Sequence, residues 1–265
     1  MTAHLLDGRL EAGGVRLDPG SSALRHGAGF FETIRLSGWS VLHLKRHLER
    51  LTASPKAYGL PAPAWLPGEA DLLALAEELG LAGGEARLNA ALLYDDLDAP
   101  PRCLATAAAY HPPGPEAERS LALSPWRQTS HLGGHKSASY LHYLLAGRAA
   151  RHAGADDALL LDHGGRLLET TTSALVVADG TGRLLTPESA FALPSVSLAL
   201  ARGALGIGLA ELTPDSLRSA ERVYCCNSLT GMLPVTRIDL GDGEILIFGA
   251  DHAACRTANG VILRP

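Results

Sequence analysis

The chain has 265 residues, 46% of them hydrophobic and 19% charged, and a formal net charge of −5. That length is enough for two modest domains with buried cores, and that apolar fraction excludes wholesale disorder. A mildly acidic chain without a basic tract is poorly suited to grip nucleic-acid backbones or anionic membranes, and no apolar run reaches the roughly 20 residues of a membrane-spanning helix.

The N-terminal Met1-Thr2-Ala3-His4-Leu5 lacks the basic and apolar regions of a signal peptide, so a cytoplasmic protein is expected. Residues 30–36 form a β-rich run after the loose Gly27-Ala28-Gly29, and residues 40–44 resume it after a turn at Ser37-Gly38, which predicts a hairpin. Leu44, Leu48 and Leu51 then repeat at helical spacing, with Lys45, Arg46 and Glu49 on the other face. Residues 71–79 read as a second amphipathic helix, and residues 87–94 and 103–110 as two strands. The run His111-Pro112-Pro113-Gly114-Pro115 removes backbone donors and stops regular structure. It sets the expected division into a small N-terminal α/β domain (1–112), a linker (113–120) and a larger domain (121–265). In the larger domain residues 121–126 predict a strand and 140–152 a helix ending at Gly154. Residues 157–161, 166–168 and 174–178 predict strands joined by tight turns such as His163-Gly164-Gly165. A helix is expected over 194–205, a strand over 222–226 and a closing helix over 250–259. The result is a mixed α/β (α+β) chain without a regular βαβ rhythm, which argues against a plain Rossmann fold.

Of the 23 basic residues other than His, only Lys45, Lys56 and Lys136 are lysines. The scarcity follows from an Arg-rich composition, but it restricts the choice of an amine nucleophile. Lys45 and Lys56 fall on the polar face or at the end of a helix. Lys136 follows a glycine pair in Gly133-Gly134-His135-Lys136 and precedes an apolar helix, where a packed stem would desolvate its amine and suit it to Schiff-base chemistry. Glu169 ends an apolar strand and is followed by Thr170-Thr171-Thr172-Ser173. A buried carboxylate needs a cation or donors, and a protonated pyridine nitrogen would serve. The hydroxyl cluster would equally serve as an ordinary turn cap. Leu193-Pro194-Ser195-Val196-Ser197 opens a helix whose free N–H groups would accept a phosphate or simply an N-cap. Arg50 lies close to the apolar helix face, where it would reach a phosphate or snorkel to solvent. The four cysteines, Cys103, Cys225, Cys226 and Cys255, show no C-x-x-C spacing, so neither a metal site nor a disulfide framework is expected. Together the lysine, the carboxylate and the anion-binding groups make the binding kit of pyridoxal phosphate (PLP).

The chain resembles the class-IV, fold-type-IV PLP enzymes, which include branched-chain and D-amino-acid aminotransferases and aminodeoxychorismate lyases. The matching residues are Gly27-Ala28-Gly29-Phe30-Phe31-Glu32-Thr33, His47-Leu48-Glu49-Arg50-Leu51, Gly134-His135-Lys136 with Tyr140-Leu141, Gly154-Ala155-Asp156-Asp157-Ala158 with Glu169, Leu193-Pro194-Ser195-Val196-Ser197, and Asn227-Ser228-Leu229-Thr230-Gly231. The resemblance implies a two-domain fold whose larger C-terminal lobe has a barrel-like β core, and a homodimer acting on a small-molecule amine. It implies that Lys136 carries PLP and acts as the catalytic base. Glu169 would hold the pyridine nitrogen, Arg50, Val196, Ser197 and Ser228 the phosphate, and Tyr140 the ring oxygen. The short chain, the Lys-x-x-x-Tyr-Leu run and the Asn-Ser-Leu-x-Gly-x-x-Pro-Val run look most like the lyases, which release pyruvate and 4-aminobenzoate in folate biosynthesis. The alternative is an aminotransferase for branched-chain or D-amino acids. Departures from the family pattern, among them Ser21-Ser22, Ala174 and Ser195, spare the cofactor residues and bear on the substrate. Arg25, His26, Arg35, Tyr94 and Arg102 are unranked candidates for a substrate carboxylate.

Overall fold

A buried Glu32 at the centre of an apolar strand marks the core of the first of two units in the structure, a computed structural model that describes residues 2–265. The first unit runs through Pro112 and also takes in His135–Tyr140 and Pro265. Its elements in chain order are β1 (Ala3–Leu6), β2 (Arg9–Ala12), α1 (Ser22–His26), β3 (Gly29–Ser37), β4 (Ser40–Val41), α2 (Leu44–Ala57), α3 (Glu69–Glu78), β5 (Glu85–Leu93) and β6 (Arg102–Ala109). The strands make one antiparallel sheet in the order β2-β1-β6-β5-β3-β4. Alternation along β5 buries Ala86, Leu88, Ala90 and Leu92, and α3 lays Leu72, Leu75 and Ala76 into the core that Leu88 shares with Ile34 and Leu36 of β3. The predicted hairpin is present, but its second strand stops at Val41 because Leu44 already opens α2; the two expected helices are α2, which runs on past Leu51 to Ala57, and α3, whereas α1 was not expected. The segment Lys136–Ala138 is stitched to the start of β3: Phe31 N donates to Lys136 O (2.8 Å), Ala138 N to Gly29 O (2.8 Å), and Ser137 bridges Phe30.

The second unit comprises residues Pro113–Gly134 and Leu141–Arg264. It contains β7 (Arg119–Leu123), α4 (Leu141–His152), β8 (Asp157–Leu161), β9 (Leu167–Thr170), β10 (Ala174–Ala178), β11 (Leu184–Pro187), α5 (Val196–Leu205), β12 (Gly208–Ala210), α6 (Pro214–Arg218), β13 (Arg222–Asn227), β14 (Gly231–Gly241), β15 (Glu244–Ile247) and α7 (His252–Ile262). The sheet order is β12-β11-β10-β13-β14-β7-β8-β9, with β15 added to β14. The β11/β12, β14/β7 and β7/β8 pairs are parallel and the remainder antiparallel. At the end of this path β9 comes back against β10 and β11, which curls the sheet into the barrel-like core expected of the fold. One side holds Leu121, Leu159, Leu175, Val177 and Val235, and the other packs Val176, Tyr224 and Met232 against Ala201 of α5 and Cys255 and Ala258 of α7.

Two-sided burial explains the continuous apolar runs of β8 and β10, which carry no alternation. It also explains why β14 escapes the sequence reading. Pro234 argues against an interior strand because it gives up a ladder donor, yet it sits opposite Tyr224 in the middle of the sheet. The turn into β14 depends on Gly231, which has φ +71°, and a Cβ there would stand 2.2 Å from Asn259 Oδ1. Asn259 uses that oxygen to accept from Met232 N (2.6 Å) and its Nδ2 to donate to Met232 O (3.1 Å). Gly231→Ala is therefore expected to cost at least about 2 kcal/mol from backbone strain and the displaced asparagine. Urea unfolding of the variant beside the parent protein measures it.

Candidate active site

In the first unit β3 turns Glu32 inward, where it is fully buried. An ionised carboxylate there requires donors. His47 and Arg50, one helical turn apart and so on one side of α2, provide them. Arg50 Nε donates to Glu32 Oε1 (2.7 Å) and Arg50 Nη2 to Oε2 (2.6 Å), a two-pronged contact suited to a planar guanidinium. His47 Nδ1 stands 2.7 Å from Glu32 Oε2. Burial alone would raise the Glu32 pKa, but the hydrogen bonds from His47 and Arg50 and the Arg50 charge outweigh it and hold the carboxyl below its usual range. Burial lowers the His47 pKa, against the pull of the Glu32 hydrogen bond and charge, which favours the neutral ring.

Lys45 and Lys56 are exposed on α2, whereas Lys136 is half-buried. Its Nζ stands over two rings, 4.7 Å from the centroid of Phe31 and 5.6 Å from that of Tyr140. These rings meet edge to face at 5.3 Å. Next to it, His135 Nδ1 lies 3.1 Å from Ser54 Oγ, and its ring packs on Tyr58 at 5.0 Å. The amine is thus held by ring faces and by a backbone pinned to β3, which restricts both its reach and its hydration.

In the second unit every residue of β9 is buried, and Glu169 is 7% exposed. Tyr143 of α4 donates its hydroxyl to Glu169 Oε1 (2.9 Å), and Leu193 N donates to Oε2 (3.3 Å). Leu193 brings the chain from Glu169 to the start of α5. There Ser195 caps the helix by accepting from Leu198 N (3.2 Å), its hydroxyl lies 2.9 Å from that of the buried Ser197, and Val196 is buried. Ser228 lies in a turn organised by Asn227, whose Oδ1 accepts from Leu229 N (2.9 Å) and Thr230 N (2.8 Å) and whose Nδ2 donates to Ser173 Oγ (3.0 Å). The Ser228 hydroxyl has no hydrogen-bond partner among the described residues.

The structure therefore sets Lys136 with Tyr140, and Arg50 with Glu32, in the first unit. It sets Glu169 beside the Leu193–Ser197 segment with Val196 and Ser197 in the second unit, which also carries Ser228. The donor chemistry fits PLP. A restrained amine can bond an aldehyde, an oriented carboxylate can accept from a protonated ring nitrogen, and a helix N-terminus with hydroxyls suits a phosphate. Of the candidates for a substrate carboxylate, Tyr94 is spent inside the core, donating to Pro61 O (2.7 Å). Arg35 pairs with Glu85 (2.8 Å) and Arg102 with Asp95 (2.8 Å). The sequence reading assigned no part to Glu32, His47, Tyr143 or Asn227. A charged residue in the middle of Phe30-Phe31-Glu32-Thr33-Ile34, followed by His-x-x-Arg on the next helix, was a usable signal for the first two. Tyr143 had none, because its partner is distant in the chain. Among the described residues no group of His, Cys, Asp and Glu is arranged to hold a metal ion.

A family model described as amino-transferase class IV matches residues 29–238. A curated relative described as a putative branched-chain-amino-acid aminotransferase from Methanocaldococcus jannaschii is 29% identical over 240 residues, covering 82% of this chain and 80% of its own. Among solved structures, a fold IV-transaminase from Curtobacterium pusillum aligns with TM-score 0.83 and 22% identity over 100% of both chains. A branched-chain aminotransferase from Thermoproteus uzoniensis with norvaline aligns with TM-score 0.82 and 22% identity over 99% of this chain and 95% of that one.

Removing the Arg50 guanidinium leaves Glu32 charged, buried and short of donors, so Arg50→Ala is expected to cost about 3–5 kcal/mol in urea unfolding. The pH dependence follows from the two depressed pKa values. As the pH falls below about 6.5, the unfolded chain takes up a proton at His47 that the folded chain refuses, and stability declines. At lower pH the Glu32 contribution, present above the usual carboxylate range, is lost as the pH falls through its depressed folded value. Stability profiles of the parent and His47→Asn proteins should therefore differ in slope between about pH 6.5 and 5, the variant being flatter.

Proposed function

Because the chain belongs to the class-IV aminotransferase family, whose cofactor is PLP, we propose that it is an aminotransferase that moves an amino group from a branched-chain amino acid to a 2-keto acid. The observation that carries the catalytic part is the Lys136 amine held between Phe31 and Tyr140 inside the matched region. The substrate class is supported by the relative from Methanocaldococcus jannaschii.

When bound, PLP supplies an electron sink for the bond electrons of the amino-acid α-carbon. Lys136 would hold the cofactor through its Nζ, and its freed amine would serve as the base that takes up the α-proton and gives it back. Phe31 and Tyr140 limit where that amine can swing and keep water from it. Tyr140 would contact the ring oxygen. Glu169, whose oxygens accept from Tyr143 and Leu193 N–H, would accept from the ring N–H and favour its protonated form. The phosphate would be held by the α5 N-terminus at Val196 and Ser197 with the Ser228 hydroxyl, and by Arg50. The active form is a cytoplasmic homodimer, a point whose oligomeric part light scattering tests directly.

A second reading, an aminodeoxychorismate lyase, is favoured by the Gly134-His135-Lys136-Ser137-Ala138-Ser139-Tyr140 and Asn227-to-Val235 runs. The same Lys136 would then act on the ring carbon bearing the amine, and pyruvate would leave without any amino acceptor. One assay separates the two. Leucine, isoleucine or valine should react only when 2-ketoglutarate is added, producing glutamate. Pyruvate and 4-aminobenzoate formed from aminodeoxychorismate without an acceptor would overturn the aminotransferase reading. Lys136→Ala should lose the visible absorbance of bound PLP and all turnover in either case.

A further inference from the structure

Asp157 is a second buried carboxylate in the larger unit, 8% exposed, and the reaction as proposed does not use it. It lies on β8, beside β9. Three consecutive side chains reach it. Thr170 Oγ1 donates to Oδ2 (2.8 Å), Thr172 Oγ1 to Oδ2 (2.7 Å), and Thr171 Oγ1 to Oδ1, which also accepts from Ala158 N (2.8 Å). Successive side chains of an extended strand point to opposite faces, so three in a row can meet one carboxylate only if the chain turns there. It does turn. Thr170 N donates to Ser173 O (2.8 Å), and Thr170 Oγ1 accepts from Ser173 N (2.9 Å), closing a tight link between β9 and β10 directly after Glu169.

The same knot seats α4. Gly147 of that helix faces Thr171, and a Cβ on Gly147 would stand 3.2 Å from Thr171 Oγ1. Tyr143 is one turn earlier on the same face, and its hydroxyl reaches Glu169. Asp157 thus acts on Glu169 from two directions. Through Thr170 it holds the backbone next to the carboxylate, and through Thr171 it holds the surface on which the tyrosine-bearing helix rests.

We propose that Asp157 is the positioning residue of Glu169: by gathering the hydroxyls of Thr170, Thr171 and Thr172 it locks the end of β9 and the seat of α4, and so keeps the Glu169 carboxylate in the one orientation that accepts a ring N–H. The proposal rests on the reading of Glu169 as the partner of the pyridine nitrogen. Asp157 acts through Glu169, as a positioning and not a catalytic residue.

The test compares Asp157→Ala, Asp157→Asn, Thr171→Val and Glu169→Gln, each stripped of cofactor and titrated with PLP, following the visible absorption band and its pH dependence alongside the thermal midpoint. Glu169→Gln should shift the band by removing the charge beside the nitrogen. Asp157→Ala should weaken PLP binding by about tenfold and shift the band in the same direction. Asp157→Asn, which keeps the size and one acceptor oxygen, should restore most of both. Thr171→Val, which loses one hydroxyl at constant shape, should give a smaller shift of the same sign. A purely structural role would lower the thermal midpoint without moving the band. Parent-like bands in folded Asp157→Ala or Thr171→Val, with a shifted band in Glu169→Gln, would overturn the proposal. If Asp157→Ala does not fold, Thr171→Val decides. A parent-like band in Glu169→Gln would instead overturn the reading of Glu169 on which the proposal stands.

Discussion

An ionised carboxylate inside an apolar core has to be given donors from the protein itself, and much of the site architecture follows from that demand. Glu32 is served by a guanidinium and an imidazole from a single helix. Asp157 accepts from three hydroxyls and the Ala158 N–H, and Glu169 accepts from the Tyr143 phenol and the Leu193 N–H. The three solutions differ in charge. Around Glu32 the charge is cancelled on the spot by Arg50. The Tyr143 hydroxyl and the Leu193 N–H that reach Glu169 are neutral donors, unlike the guanidinium that aims at Glu32.

Much of the fold was legible in the chain. Elements with a clear alternation or helical spacing, such as β5 and α2, and the continuous apolar runs of β8 and β10, stand where the pattern puts them, because one face or both faces of each is buried. The strands and helices that escaped notice are short or atypical. β1, β2, β11 and β12 have three or four residues each, α1 and α6 five, and β14 carries an interior proline. Of the site, the residues that stood out were those whose type clashes with their local pattern: a lysine after paired glycines, and a glutamate closing an apolar strand. The hydroxyl run after Glu169 was visible as an oddity, but its partner, Asp157, was not. That pairing depends on which strand lies beside which, and no local spacing encodes it.

The choice between a lyase and an aminotransferase shows the same limit in chemical terms. Both reactions need a lysine, a ring-nitrogen carboxylate and a phosphate cup, so the most recognisable motifs describe the cofactor and are silent about the substrate. The runs around Lys136 and Asn227 pointed to the lyases, whereas the family match and the curated relative support an aminotransferase. Of the arginines considered for the substrate, Arg35 and Arg102 already have carboxylate partners within the first unit.

The six residues His135–Tyr140 pack with the first unit although the chain on both sides of them belongs to the second. This connectivity has a consequence for modularity. A single cut after Pro112 would yield an N-terminal fragment with its sheet whole but without its lysine-bearing strap, and a C-terminal fragment carrying that strap with nothing to pair it to. During synthesis the first unit cannot be completed until well after its own sheet has emerged. Neither unit can be exchanged between proteins by a simple gene fusion without breaking the strap. Through this connectivity the two units are inherited as one piece.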